Sequence, residues 1–174
     1  MEVTAFIGLG SNIEPRVRMM ISALHHLSHS PGVTVERVSS VFQSAAHTID
    51  GSLQPDYLNA AAMVRTNLTA EALLARCLEI EKLLGRDRAL DEKWSSRRID
   101  LDILLYSASV IDRPELRVPH PKLSERLFVL LPLADLIPAD EHHEALHTTL
   151  GDLIDRCPDR GPTTKTVVDL GNYK

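Results

Sequence analysis

The 174-residue sequence has little cysteine, few aromatic side chains and no long apolar run. Cys77 and Cys157 are its two cysteines; they cannot build a disulfide framework and match no zinc spacing, so both read as inert, reduced thiols. No stretch approaches the roughly 18 apolar residues of a membrane span. The N-terminal "MEVTAFIGLGSN" also lacks a basic segment leading into a long apolar one, so the expectation is a soluble, cytoplasmic protein with no membrane partner. Lysine and arginine number 19 against 24 acidic residues, a formal net charge of −5. Such a chain has no general attraction for nucleic-acid phosphates, and any anion site must be built locally. Internal repeats and low-complexity segments are missing too. With 44% hydrophobic residues, the length suits a single domain, placed at residues 1–160 with a C-terminal tail over 161–174.

What is present orders itself into short elements. "VTAFIGLG" is an apolar run closed by Gly-Ser-Asn, a buried strand entering a turn. Val17, Met20, Ile21, Leu24 and Leu27 then recur at helical spacing behind Pro15. "VTVERVSSVFQS" and "YLNAAAMVRT" read as an antiparallel pair of strands. Thr69 stands where it can cap a helix whose apolar stripe includes Leu73, Leu74, Cys77 and Leu78 and which ends at Gly85. "RIDLDILLY" is a further strand. The order strand, helix, strand, strand, helix, strand predicts an α+β fold with a ferredoxin-like βαββαβ core, an antiparallel sheet carrying helices on one face, and additional C-terminal helices. Pro132 interrupts one of these later helical stretches, "TTLGDLIDRCP" suggests another short helix, and the last dozen residues read as a loose tail.

Two carboxylates stand inside the apolar strand. Residues two apart on a strand share a face, so Asp100 and Asp102 project together while Ile99, Leu101 and Ile103 point the other way. Adjacent carboxylates repel unless cations lie between them. Magnesium between the acids and substrate phosphates would supply that charge; salt bridges from Arg97 and Arg98 on an exposed sheet face would also do so. Upstream, Arg86, Arg88, Lys93, Arg97 and Arg98 outnumber Asp87, Asp91 and Glu92, making a basic segment in an acidic chain. Guanidinium groups there suit bidentate contact with phosphate oxygens. Among only seven aromatics, Tyr57, Trp94 and Phe128 lie in polar or loop contexts where a planar ring could stack, although Phe128 also suits a core position. Asn59 offers both donor and acceptor to a heterocycle edge. His120, between prolines in "VPHPKL" and near Lys122 and Arg126, is placed to donate to an anion. The pairs His25/His29 and His143/His147 have i,i+4 spacing but no surrounding motif, and they read as solvated helix surface.

Together, "FIGLGSNIEPR", "QPDYLNAA", "EIEKLLGRDR", "WSSRRIDLDILLY" and "VPHPKLSERLFVLLPLADL" resemble the 6-hydroxymethyl-7,8-dihydropterin pyrophosphokinase family over residues 3–138. The resemblance implies transfer of pyrophosphate from ATP to the pterin hydroxymethyl group in folate biosynthesis, with release of AMP. It also implies two Mg²⁺ ions held by Asp100 and Asp102. Arg86, Arg97, Asp100 and Asp102 would form the catalytic set. Glu81, Arg88, Trp94, His120 and Arg126 would surround ATP, and Tyr57, Asn59, Trp94 and Phe128 would line the pterin site. Asp102 is the nearest candidate to accept the hydroxyl proton, and a monomer is expected. The loop "QSAAHTIDGS" departs from the family's T-x-P-like element, and "WSSRR" has serines where a proline is common.

Two rivals differ in what they require. A nucleotidyltransferase normally keeps its Gly-Ser turn close to its D-x-D strand, whereas Gly10-Ser11 and Asp100 are far apart here. A non-catalytic ferredoxin-like module, for RNA or regulatory ligands, is the other; an RNA-binding sheet would present aromatics on its central strands and a basic surface, not carboxylates.

Overall fold

An apolar run without alternation is the mark of a strand buried on both faces, and Val3–Ser11 forms β1, an inner strand of an antiparallel sheet. The computed structural model describes residues 1–46, 54–86 and 97–173. After β1 come α1 (Arg16–Ser28), β2 (Val33–Val38), β3 (Phe42–Ser44) and β4 (Tyr57–Thr66). The α2 helix (Ala70–Leu83) starts at Thr69, whose hydroxyl accepts the Ala72 N–H at the predicted cap. β5 (Asp100–Tyr106) completes the core motif.

β1 pairs with β4 on one side and β5 on the other, both antiparallel. β2 and β3 lie end to end along the far edge of β4. Between them the chain stays on β4 through Ser39, whose N–H donates to the Ala61 carbonyl at 2.8 Å and whose hydroxyl accepts the Ala61 N–H at 2.8 Å. Taken as one bent strand, they complete the ferredoxin-like order: the motif's fourth strand beside its first, then its third, then its second.

Helices cover both faces of this sheet, not one as the pattern of elements suggested. On one face Ile7, Leu9, Leu101 and Ile103 pack with Met20, Leu24 and Leu27 of α1 and Leu73, Cys77 and Ile80 of α2. On the other, Phe6, Ala61, Leu104 and Leu105 pack against α3 (Leu127–Ala134) and α4 (Leu150–Arg156) through Leu130, Leu133 and Leu150. The reason is legible in β5: a register shift opposite Phe6 and Ile7 turns consecutive Leu104 and Leu105 into the same layer. Pro132 lies inside α3. A β6–β7 hairpin (Ile111–Asp112 with Arg117–Val118) precedes α3, and β8 (His142–His143) pairs with β9 (Thr148–Thr149) before α4.

The C-terminal stretch is anchored, in contrast to the loose tail expected. β10 (Thr163–Lys165) adds to the outer edge of β3. Thr166 donates to the Val41 carbonyl through both its N–H, at 2.8 Å, and its hydroxyl, at 3.0 Å. Leu170 and Tyr173 are buried in the α1/α2 layer, and Cys157 in the α3/α4 layer. Its weak periodicity hides this role, because three pairing residues and two buried side chains make no recognisable pattern.

Candidate active site

On β5 the alternation works as the sequence indicates. Ile99, Leu101 and Ile103 are buried in the α1/α2 layer, while Asp100 and Asp102 line a cavity of about 240 Å³ on the other face. Across the sheet, Asp100 is opposite Gly10 of β1, and Gly10 is opposite Asn59 of β4. A methyl group built on Gly10 would reach 3.5 Å from Asn59 Oδ1, 3.8 Å from Tyr57 and 3.9 Å from Asp100. The absent side chain therefore keeps the cavity floor open between the amide and the acid.

Cations already neutralise Asp100. One carboxylate oxygen accepts from Arg86 and the other from Arg97. Arg86 is buried, with 5% of its side chain exposed, and also donates to Glu81 Oε1 at 2.7 Å. The same Glu81 oxygen accepts the Leu101 N–H at 2.7 Å, locking the β5 backbone to α2. Burial pushes the Asp100 carboxyl upward, but the charges of Arg97 and Arg86 and their hydrogen bonds outweigh it and hold the group below its ordinary 3.8.

The rest of the cavity is aromatic, amide and cationic. Tyr57, Asn59 and Ser44 form one wall, with Asn59 Nδ2 donating to Ser44 Oγ at 3.0 Å. Phe128 and Arg126 come from the first turn of α3 and its cap, the guanidinium carbon 5.5 Å from the ring centre. His120 and Lys122 complete this side. Burial first, then the charge of Arg126, lowers the His120 pKa to about 4, so its ring is neutral at pH 7. Nδ1 accepts the Lys122 N–H at 3.2 Å, which leaves the ring proton on Nε2 as a donor.

The protein's sequence matches the family model described as 7,8-dihydro-6-hydroxymethylpterin-pyrophosphokinase (HPPK) over residues 6–138. The chain belongs to this family. It is 40% identical over 134 residues to the 2-amino-4-hydroxy-6-hydroxymethyldihydropteridine pyrophosphokinase of Synechocystis sp., covering 77% of this chain and 66% of that relative. To the enzyme of the same name from Methylorubrum extorquens it is 39% identical over 135 residues, 77% of this chain and 82% of the relative. Wild-type Plasmodium falciparum HPPK-DHPS shares the fold, with a TM-score of 0.67 at 15% identity, over 90% of this chain and 45% of that one. HPPK is an ATP-dependent enzyme family of folate synthesis, so the chain's family is one of pyrophosphoryl transfer.

Within this HPPK chain, Tyr57, Asn59, Arg97, Asp100, Asp102, His120, Arg126 and Phe128 come together on one cavity. Glu81 and Arg86 do not line it; they stand behind Asp100. Arg88 and Trp94 lie outside the described residues. Ser11 and Asn12 were not among the expected site residues, yet they anchor the arginine segment. Ser11 Oγ donates to the Arg98 carbonyl at 2.6 Å, and Asn12 Oδ1 accepts the Arg97 N–H at 2.6 Å. Their signal was a polar pair ending a buried strand; both side chains are themselves buried. Among the histidine pairs, His143 and His147 do not share a helix, since β8 ends at His143 and a 3₁₀ turn separates it from His147. His25 on α1 and His29 just past its end have ring centres 4.1 Å apart with the planes tilted by 40°, each with Nδ1 at a backbone carbonyl. No group of three or more potential metal ligands occurs among the described residues.

Proposed function

We propose that the protein transfers pyrophosphate from ATP to the hydroxymethyl group of 6-hydroxymethyl-7,8-dihydropterin, giving AMP and the pterin diphosphate. The observation that carries this reading is the register Asn59–Gly10–Asp100, which sets a heterocycle-reading amide and a carboxylate on one open floor. Tyr57 and Phe128, with Trp94, hold the pterin ring, and Asn59 reads its edge. Arg97, His120 and Arg126, with Arg88 and Trp94, take the nucleotide, His120 as a neutral Nε2–H donor. Glu81 and Arg86 keep Asp100 charged and in place.

The acids suit Mg²⁺. Two carboxylates on one face form a hard-oxygen donor set, and Mg²⁺ at Asp100 would take over charge that Arg86 and Arg97 balance there. Asp100 and Asp102 would hold two such ions, which when bound supply charge neutralisation and lower the pKa of the attacking hydroxyl. The pterin oxygen attacks the β-phosphorus in line; the new oxygen–phosphorus bond forms as the bridge to the α-phosphate breaks, its electron pair leaving on AMP. Arg97 and Arg126 balance charge on the departing group, and Asp102 receives the hydroxyl proton. We read the working protein as a cytoplasmic monomer without nucleic-acid partners, in keeping with small soluble substrates and a net charge of −5.

Phosphorus NMR of ATP, magnesium and 6-hydroxymethyl-7,8-dihydropterin with the protein tests the reaction. AMP and a pterin diphosphate are the expected products, lost with Asp102→Ala. Free pyrophosphate or ADP as the product would overturn the assignment.

A further inference from the structure

Resting on the pterin reading, a second role emerges from the chain beyond the family match, which ends at residue 138. The α3 helix follows its N-cap Arg126 and carries Phe128 in its first turn, and no side chain of its own caps its start. The Leu127 N–H instead donates to Asp159 Oδ2 at 3.2 Å, while Asp159 Oδ1 accepts the Gly161 N–H at 2.9 Å. Cys157, just before this contact, is buried in the α3/α4 layer. Just after it, β10 pairs with β3, Thr163 opposite Ser44, and Ser44 is opposite Tyr57 and accepts the Asn59 amide. The far end of α3 is held separately, by Arg37 donating to the carbonyls of Asp135 and Leu136 at 2.8 and 3.1 Å.

We propose that residues 157–166 form a strap joining the two walls of the pterin slot, with Asp159 as the positioning residue that sets where Phe128 and Arg126 stand relative to Tyr57 and Asn59. Asp159 does not itself line the cavity. It acts through the helix start, where an orphan N–H needs an acceptor and a negative charge meets the positive end of the helix dipole. The other end of the strap is fixed to the strand behind Ser44. One segment thereby spans from the aromatic of α3 to the polar wall of β3 and β4, and its loss widens or skews the slot without removing any group that touches substrate.

The test is a fluorescence titration of 6-hydroxymethyl-7,8-dihydropterin, with magnesium and a non-hydrolysable ATP analogue present, alongside thermal melts. Asp159→Ala is expected to weaken pterin binding about fivefold, the size of a lost helix cap expressed in affinity. Asp159→Asn keeps an acceptor oxygen and is expected to restore most of the affinity. Thr149→Ala is the control: it removes the cap of α4, where Thr149 Oγ1 accepts the Asp152 N–H at 3.1 Å, and α4 does not line the cavity. It should lower Tm comparably and leave pterin affinity unchanged. Should the alanine variant not fold, Asp159→Ser, too short to reach Leu127, carries the same expectation. Wild-type affinity in the Asp159→Ala or serine variant, or an equal loss in Thr149→Ala, overturns the strap while leaving the pterin site standing. A wild-type protein that binds no pterin overturns the proposed function, and the strap falls with it.

Discussion

Asp100 is held between two arginines, and the amide variants of the two acids should separate on that account. Asp100→Asn leaves buried Arg86 and half-buried Arg97 facing a neutral group, so thermal melts should show a lowered Tm together with lost activity. Asp102→Asn is expected to cut kcat by about a hundredfold or more while the fold persists, read from turnover and a melt on the same sample. Behind them, Glu81 is 1% exposed and answers both Arg86 and the Leu101 N–H. Removing it in Glu81→Ala should cost about 3–5 kcal/mol in denaturant unfolding, because a buried guanidinium loses a carboxylate partner. His120 sets a pH limit. Its folded-state pKa of about 4 lies below the ordinary 6.5, so on acidification the unfolded chain takes up the proton first. Its contribution to stability is complete above pH 6.5 and is lost as pH falls towards 4; in His120→Asn the decline of Tm across that window should be shallower.

At the level of elements, the cavity depends on a strand that supplies almost nothing. Gly10 lies between Asn59 and Asp100, and an added methyl meets them at ordinary contact distance. Gly10→Ala should therefore fold with near wild-type Tm yet bind pterin more weakly in the fluorescence titration, since the methyl occupies the floor. Much of this arrangement was legible in advance. Period-two alternation placed the acids on one face, Thr69 marked the start of α2, and the order of strands and helices specified the ferredoxin-like core. The second covered face was not legible, because an unbroken apolar run such as "DILLY" does not say which neighbour shifts register. Nor was the burial of Arg86 behind Asp100: a charged residue at a helix end reads as exposed until the pairing of Glu81 with β5 is known. Asn12 escaped for the same reason, its partners Arg97 and Pro55 being distant in sequence.

Across the whole molecule, charge and core divide unevenly. The protein carries −5 overall, yet its cavity gathers Arg97, Lys122 and Arg126 around two acids. Attraction for a polyphosphate is thus local and partly screened by salt: KM for ATP should rise severalfold between about 50 and about 500 mM salt, with the pterin KM nearly unchanged. The two cysteines are divided in the same way as the core, Cys77 under the sheet with α1 and α2, Cys157 above it beside α4. Each layer therefore contains one chemically addressable clock. Trapping by a thiol reagent under native conditions times how often each side of the sheet breathes open, and substrate should slow the Cys157 clock more than the Cys77 clock if ligands stiffen the layer that holds Phe128. Mass spectrometry of the two labelled peptides reads both rates from a single incubation.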